Sequence, residues 1–259
     1  MNVSLTDAIP IVAFTDLDDT LFSSLHKHVE NENSLLPVAY LKNGSPISYT
    51  DARQRALLRL IEGCSYIVPV TARSLSAFRR VGLSFSSYAV VSHGATILTP
   101  DGCVDARWTE MVSTQLVQAR PLMLSILDLL SSSAINFDRQ LHTQLVVDEG
   151  REVYVVAKHM GRNVSVIDRL ADEVARPWIQ VHSDFQLHTN GNNLAILPPG
   201  IGKKHAAEYV KQRLYEELGE YMSIGIGDSV TDMHFMLDCD FALMPTKSQL
   251  AKYIEKKRI

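Results

Sequence analysis

Cysteine is scarce in this chain of 259 residues: Cys64, Cys103 and Cys239 stand far apart, with no C-x-x-C spacing and an odd count. That excludes a disulfide framework and a thiolate metal site, and fits the reduced thiols of an intracellular protein. Positive charge is not in excess either. The formal net charge is −4 and the pI about 6.1, whereas a nucleic-acid or anionic-membrane partner calls for concentrated positive charge. The one basic cluster, Lys256-Lys257-Arg258, reads as a solvated helix end. Long apolar runs are missing as well, and the one near the N-terminus is cut short by Asp16, so neither a signal peptide nor a membrane anchor is expected. The expected setting is cytoplasmic. Nor do the histidines form a zinc pattern, because His26-Lys27-His28 has no acidic or cysteine partner at a suitable spacing. What is present is ordinary globular composition, 46% hydrophobic and 21% charged, in a length that suits a core carrying an inserted module.

The densest chemistry lies at Asp16-Leu17-Asp18-Asp19-Thr20, directly after the apolar run Ile11-Val12-Ala13-Phe14. A short buried run of this kind reads as a strand of a parallel sheet, and the ligand crevice of an open α/β sheet lies beyond the carboxyl ends of its strands. Two carboxylates two positions apart at such an exit suit phosphoryl transfer. One can attack phosphorus while its neighbour exchanges protons with the leaving oxygen and then with water. Three further segments carry chemistry at comparable places. Tyr66-Ile67-Val68-Pro69-Val70 ends in Thr71-Ala72-Arg73-Ser74, where a hydroxyl and backbone amides can hold a phosphate oxygen. Pro198-Pro199-Gly200-Ile201-Gly202 leads into Lys203, which opens an amphipathic run carrying Ala206, Ala207, Val210 and Leu214. Ile224-Gly225-Ile226-Gly227 runs into Asp228-Ser229-Val230-Thr231-Asp232, two carboxylates four residues apart that suit a hard cation. Singly, each has a plainer explanation as a helix cap or a solvated acid. Their recurrence in one order, each at a strand end or a helix start, carries the functional reading.

With these motifs in place the chain resembles the haloacid dehalogenase superfamily, in particular its phosphatases with a large cap inserted between the second and third motifs. The family pattern of DxDxT, a strand ending in Thr or Ser, a Lys and GDxxxD stands here as DLDDT, VPVTAR, GIGKK and GDSVTD. The resemblance implies Asp16 as nucleophile, Asp18 as general acid and base, and Thr71, Ala72 and Lys203 as phosphate-binding residues. Lys203 fits the family register better than Lys204. A magnesium site at Asp16, Asp18, Asp228 and Asp232 is implied too, with Asp232 acting through water. Four converging aspartates would repel one another and a phosphate dianion unless a cation intervenes, and magnesium meets that need with oxygen ligands. Departures from the pattern lie at Asp19, where relatives often have Gly, at Ser92-His93-Gly94-Ala95, where many read Asn-Gly-Ala, and in the shortened Phe241-Ala242-Leu243-Met244-Pro245.

The remaining chain sets out the architecture. Val38-Ala39-Tyr40-Leu41 and Ile47-Ser48-Tyr49 around Asn43-Gly44 predict a hairpin with a type I′ turn, a candidate flap over the phosphate site. A helix over about 51–61, the Thr71 strand, a helix near 75–81 and Ala89-Val90-Val91 alternate as in a doubly wound, mainly parallel α/β sheet. From Cys103 the pattern changes. Leu122, Ile126, Leu129 and Leu130 mark a helix, with Pro121 near its first turn. Leu145-Val146-Val147 and Val153-Tyr154-Val155-Val156 form a hairpin, a helix over about 164–175 ends before Pro177, and Ile179-Gln180-Val181 and Leu194-Ala195-Ile196 surround a turn at Asn190-Gly191. Two helix–hairpin units in series predict an inserted α+β cap over 103–188, with the catalytic core at 1–102 and 189–259. His188 and Asn190, polar residues near the cap's return, are the candidate substrate contacts. The expected activity is magnesium-dependent hydrolysis of a small phosphomonoester, a phosphorylated metabolite and by analogy a sugar phosphate, through an aspartyl-phosphate. A sugar phosphomutase using the same intermediate, and a non-catalytic binding protein of the same fold, are the alternatives.

Overall fold

The computed structural model describes residues 9–28 and 34–257; the polar run at 30–33 and Arg258 lie outside them. The chain begins with β1 (Ile11–Thr15), whose interior residues Val12, Ala13 and Phe14 are fully buried, as a β-branched and aromatic run between two covered faces requires. A tight turn follows, with Leu21 and Phe22 N–H groups donating to the Leu17 carbonyl at 2.9 and 3.3 Å. It leads to a small antiparallel sheet of β2 (Ser23–Ser24), β3 (Leu36–Tyr40) and β4 (Pro46–Thr50), ordered β2-β4-β3. The β3–β4 connection differs from the type I′ expectation. Only Gly44 has a positive φ there, 81°, and Leu41 N–H donates to the Ser45 carbonyl at 2.8 Å, so the loop is wider than a two-residue turn.

Helix α1 (Ala52–Ile61) starts on a capping box between Asp51 and Gln54 and leads to β5 (Tyr66–Pro69). Helix α2 (Leu75–Phe78) is a single turn, shorter than the periodicity predicts, and β6 (Ala89–Val91) pairs antiparallel with β7 (Thr96–Leu98). A parallel bridge between Val70 and Val90 continues the sheet towards β6.

Then α3 (Ala106–Phe137) opens a different architecture. Its buried residues Trp108, Val112, Leu116, Ala119, Met123, Ile126, Leu130 and Ala134 recur every three or four positions, so one face packs along its whole length. The expected start near Pro121 is wrong. Pro121 lies mid-helix on the exposed face, below Val117, which is 73% exposed, so water can take the carbonyl that the proline leaves unbonded. Next come β8 (Leu141–Asp148) and β9 (Arg151–His159), joined at Glu149 and Gly150, both with positive φ. Helix α4 (Val164–Leu170) widens into a π turn over Ala171–Ala175 and continues as α5 (Arg176–Val181). The expected stop before Pro177 and the strand at 179–181 are therefore also wrong. Pro177 occupies the first turn of α5, where no donor is needed, and Trp178 and Ile179 pack on the same apolar cluster as Ala171 and Ala175. The strand lies later, as β10 (Gln186–Asn190), paired with β11 (Asn193–Leu197) in a four-stranded antiparallel sheet ordered β10-β11-β9-β8.

The chain returns through α6 (Lys203–Leu218), β12 (Met222–Ile226), α7 (Val230–Met236), β13 (Phe241–Leu243) and α8 (Gln249–Lys257). The main sheet is parallel throughout, ordered β13-β12-β1-β5. Two compact units result, 1–105 with 203–259 and 106–202. The second runs past the 188/189 boundary read from the sequence because β11 pairs with β9 through Asn193↔Lys158 to Ile196↔Val155 and so belongs to its sheet. Among the described residues no helix is long and apolar enough to cross a membrane.

Candidate active site

The central strand of the parallel sheet delivers the first acid. β1 lies between β12 and β5, with Thr15 in register with Ile226 on one side and Pro69 on the other. Asp16 N–H donates to the Ile226 carbonyl and Val70 N–H to the Thr15 carbonyl, both at 2.8 Å. Asp16, Thr71 and Asp228 therefore leave three neighbouring strands at one carboxyl edge, where a parallel sheet places its crevice.

At that edge the charged groups are buried together. Lys203, the first residue of α6, donates from Nζ to Asp16 Oδ1 at 2.5 Å and to Asp232 Oδ1 at 2.6 Å. Lys204 points away and lies 3.7 Å from Glu208 on the exposed face. Asp232 is fully buried and has no free oxygen face, because its Oδ2 accepts from Ser229 Oγ at 2.6 Å, Ser229 N–H at 2.9 Å and Asp228 N–H at 3.3 Å. Two glycines allow this. A Cβ on Gly227 would fall 2.4 Å from Asp232 Cβ, and one on Gly225 would fall 2.6 Å from Met236 Cα, so both must be bare for α7 to lie on β12.

Carboxylate oxygens of Asp16, Asp228 and Asp232 all lie within 4.8 Å of one another. Three acids face one ammonium, and burial together with the surplus negative charge shows in the titration of Asp16 and Asp228. Burial pushes the Asp16 carboxyl well above its ordinary range, Lys203 pulls it down, and Asp232 and Asp228 push it up again. Asp228 is raised to about 7, by burial first and then by Asp232 and Asp19. Burial works against the Lys203 ammonium, but Asp16 and Asp232 outweigh it and hold the lysine charged.

Asp18 stands apart from this cluster. Its two oxygens are gripped by the Arg73 fork, Nε to Oδ2 and Nη2 to Oδ1, each at 2.7 Å. Such a bidentate pair engages both oxygens, and Asp18 is not among the carboxylates that lie within 4.8 Å of one another. Arg73 also donates to Ser48 Oγ on β4 at 3.2 Å and lies 5.0 Å over the Phe22 ring, so the hairpin is tied to the partner of Asp18. Asp19 adopts a φ of 66° and pairs with Lys27 at 2.5 Å. Thr71 is fully buried and its Oγ1 accepts from Arg73 N–H at 3.2 Å; Ala72 lies between them in the sequence. His188 and Asn190 are alternate residues of β10, so they share one face of the second unit's sheet, with Ala195 and Asn193 as their partners on β11.

No protein-family model and no curated protein sequence matches the chain. Solved structures do. The sucrose-phosphatase of Synechocystis sp. PCC6803, in complex with sucrose and phosphate, aligns at a TM-score of 0.58 and 18% identity over 96% of this chain and 88% of its own. The C-terminal domain of Candida albicans trehalose-6-phosphate phosphatase gives 0.58 at 10% identity, over 97% and 78%. These structures share the fold of this chain. An N-terminally truncated, IMP-bound IMP-nucleotidase from Plasmodium falciparum aligns at a TM-score of 0.53 and 13% identity, over 98% and 68%.

The donor set at this edge fits a small hard cation, since it offers oxygen ligands only and an excess of negative charge. With Asp232 fully occupied and Asp16 Oδ1 on Lys203, the groups left to hold one are Asp16 Oδ2, whose protein partner is Thr20 Oγ1 at 3.4 Å, and the Asp228 carboxylate. Arg73 and Ser229 are the residues that sequence reasoning missed. Ser229 was legible as an N-cap four places before Met233. The Arg73 contact to Asp18, across 55 positions of chain, had no local signal.

Proposed function

We propose that the protein is a magnesium-dependent phosphatase of small phosphomonoesters that works through an aspartyl-phosphate on Asp16. The observation that carries the reading is the buried bridge of Lys203 between Asp16 and Asp232, with Asp228 beside them, at the carboxyl edge of the parallel sheet. Asp16 attacks phosphorus, the phosphorus–oxygen bond to the leaving group breaks, and Asp18 supplies the proton that the leaving oxygen takes up. Asp18, now a carboxylate, accepts a proton from water as that water attacks the phosphoryl group. Inorganic phosphate leaves and Asp16 is restored. Arg73 grips both oxygens of Asp18 and fixes the orientation of its carboxyl for the two steps. Lys203 lies against Asp16 Oδ1 and neutralises charge on the transferring group, with Thr71 and the Ala72 backbone completing the phosphate site. A magnesium ion held by Asp16 and Asp228 would shield the phosphate from these acids.

The substrate class belongs to the same proposal. Two of the similar structures are a sucrose-phosphatase and a trehalose-6-phosphate phosphatase, and a sugar phosphate is the substrate we assign, with His188 and Asn190 as its contacts in the inserted unit, a cap in this reading. The test is phosphate release from a generic aryl phosphate and a panel of phosphorylated sugars, with and without magnesium, followed by phosphorus NMR. Wild type should release inorganic phosphate, and Asp16→Asn should lose on the order of 10³-fold or more in kcat. Undiminished release by Asp16→Asn, or an isomeric ester in place of inorganic phosphate, refutes the reading.

A further inference from the structure

A second concave site lies wholly within the inserted unit, and none of the residues assigned above lines it. It is a cavity of about 470 Å³ between α3 and the turn that follows α5, closed on one side by Pro199. That volume is within the range of small-molecule sites, about 300–1,000 Å³. Its floor is apolar, made by Ala119 and Phe185, both buried, and by Leu122. Its walls are polar: Gln115 and Gln118, one helical turn apart on α3, face Ser183 and Asp184.

These walls are preformed. Phe185 meets Trp178 edge-on, with ring centroids 5.0 Å apart at 84°, and His182 lies against the same indole at 4.2 Å. Phe185 N–H donates to the His182 carbonyl at 3.0 Å, which sets the turn. Gln115 is held by a close backbone approach. Gly200 has a φ of 79°, and a Cβ there would fall 1.4 Å from Gln115 Oε1, so the amide lies directly over the bare glycine. Two carboxamides offer donors and acceptors and Asp184 offers acceptors, the complement of neighbouring hydroxyl groups, while the Phe185 floor suits the C–H face of a ring. No lysine or arginine lines the cavity. A phosphate group would meet the Asp184 carboxylate with no lysine or arginine to balance it, and the one histidine of the lining, His182, is packed on Trp178.

We propose that this cavity binds a small uncharged polyol, a free mono- or disaccharide, at a site separate from Asp16. The inference stands apart from the phosphatase reading. It is tested by isothermal titration calorimetry and saturation-transfer NMR on the full chain with glucose, sucrose and trehalose as probes. At least one should bind, and the double variant Gln115→Ala/Asp184→Ala should weaken it by about tenfold or more. Gln118→Ala, a substitution on the exposed side of α3, provides a second variant if the first unfolds. Asp16→Asn should bind as wild type does. The proposal is overturned if none of the three saccharides binds, if the cavity variants bind unchanged, or if Asp16→Asn removes the signal. An active Asp16→Asn protein that still binds the saccharide would refute the phosphatase reading and leave the cavity standing.

Discussion

The two units deal with charge in opposite ways. The parallel-sheet unit buries it: Asp16, Lys203, Asp228 and Asp232 are all less than a tenth exposed and lean on one another. The inserted unit keeps an apolar interior, built from α3 residues such as Met123, Ile126 and Leu130 with Val155, Ala157 and Ile196 of the sheet. Its ion pairs Arg120–Glu152, Arg169–Glu173 and Arg176–Asp172 lie at the surface, and the buried His159 faces a single carboxylate, Asp138, whose side chain is 30% exposed. Burying ions is expensive and stabilises little unless every partner is present. A fold carries such a cluster where chemistry needs charges held still in a poorly solvated place. On the proposed function, the contrast marks the parallel-sheet unit as the one suited to the chemistry.

The strongest way to break this comparison is to remove the ammonium. Lys203→Met leaves Asp16 and Asp232 facing each other without a counter-charge, and should cost about 3–5 kcal/mol of stability as well as activity. Urea unfolding measures it. A loss no larger than that of a surface substitution would mean that the buried charges of the core unit are not coupled.

Next in size is the Arg73 fork. Arg73→Lys keeps a positive charge but loses the two parallel bonds to Asp18, so the carboxyl is no longer held in place. Turnover should fall about tenfold to a hundredfold, within what one positioned proton-transfer group contributes. Unchanged turnover would reduce Arg73 to a packing residue.

The same contrast decides what could be read from the sequence. Asp16, Asp18, Thr71, Lys203, Asp228 and Asp232 were legible because chemistry ties each to a strand end or a helix start, and those are signalled by local runs of a few residues. The inward choice of Lys203 over Lys204 followed from its spacing after Gly200. The Arg73 to Asp18 contact was not legible, since nothing near Thr71 specifies what an arginine reaches. In the inserted unit the two helix–hairpin repeats were visible in periodicity, but proline misled twice. Pro121 was read as a start and Pro177 as a stop, because a lone sequence does not show that one faces water or that the other follows a π turn. The edge of that unit was misplaced for a related reason. Leu194 to Leu197 is an apolar run that suits a central strand of either sheet, and only its pairing with β9 assigns it.

A smaller effect sharpens the comparison through pH. Asp228 has a folded pKa of about 7 against an ordinary 3.8. In the metal-free protein the native state holds that proton more tightly than the unfolded chain. The stabilisation is complete below about pH 4 and is lost as pH rises through 7. Magnesium competes with the same proton, so its thermal shift should be small at pH 5.5 and grow towards pH 8. Equal shifts at both values would separate Asp228 from the cation.

The smallest effect is expected in the inserted unit, and it is the control for the others. Arg120 Nε lies 2.6 Å from Glu152 Oε2, a distance as short as those around Lys203, yet its side chain is 53% exposed. Water solvates both partners when the pair is broken, and holding two long side chains together has an entropic cost that offsets most of the attraction. Arg120→Ala should therefore leave the urea midpoint within experimental scatter, where Lys203→Met moves it far. If the two substitutions shift it alike, the short contacts of the core unit reflect geometry alone, and the burial of its charges would no longer mark that unit as the place where phosphate is handled.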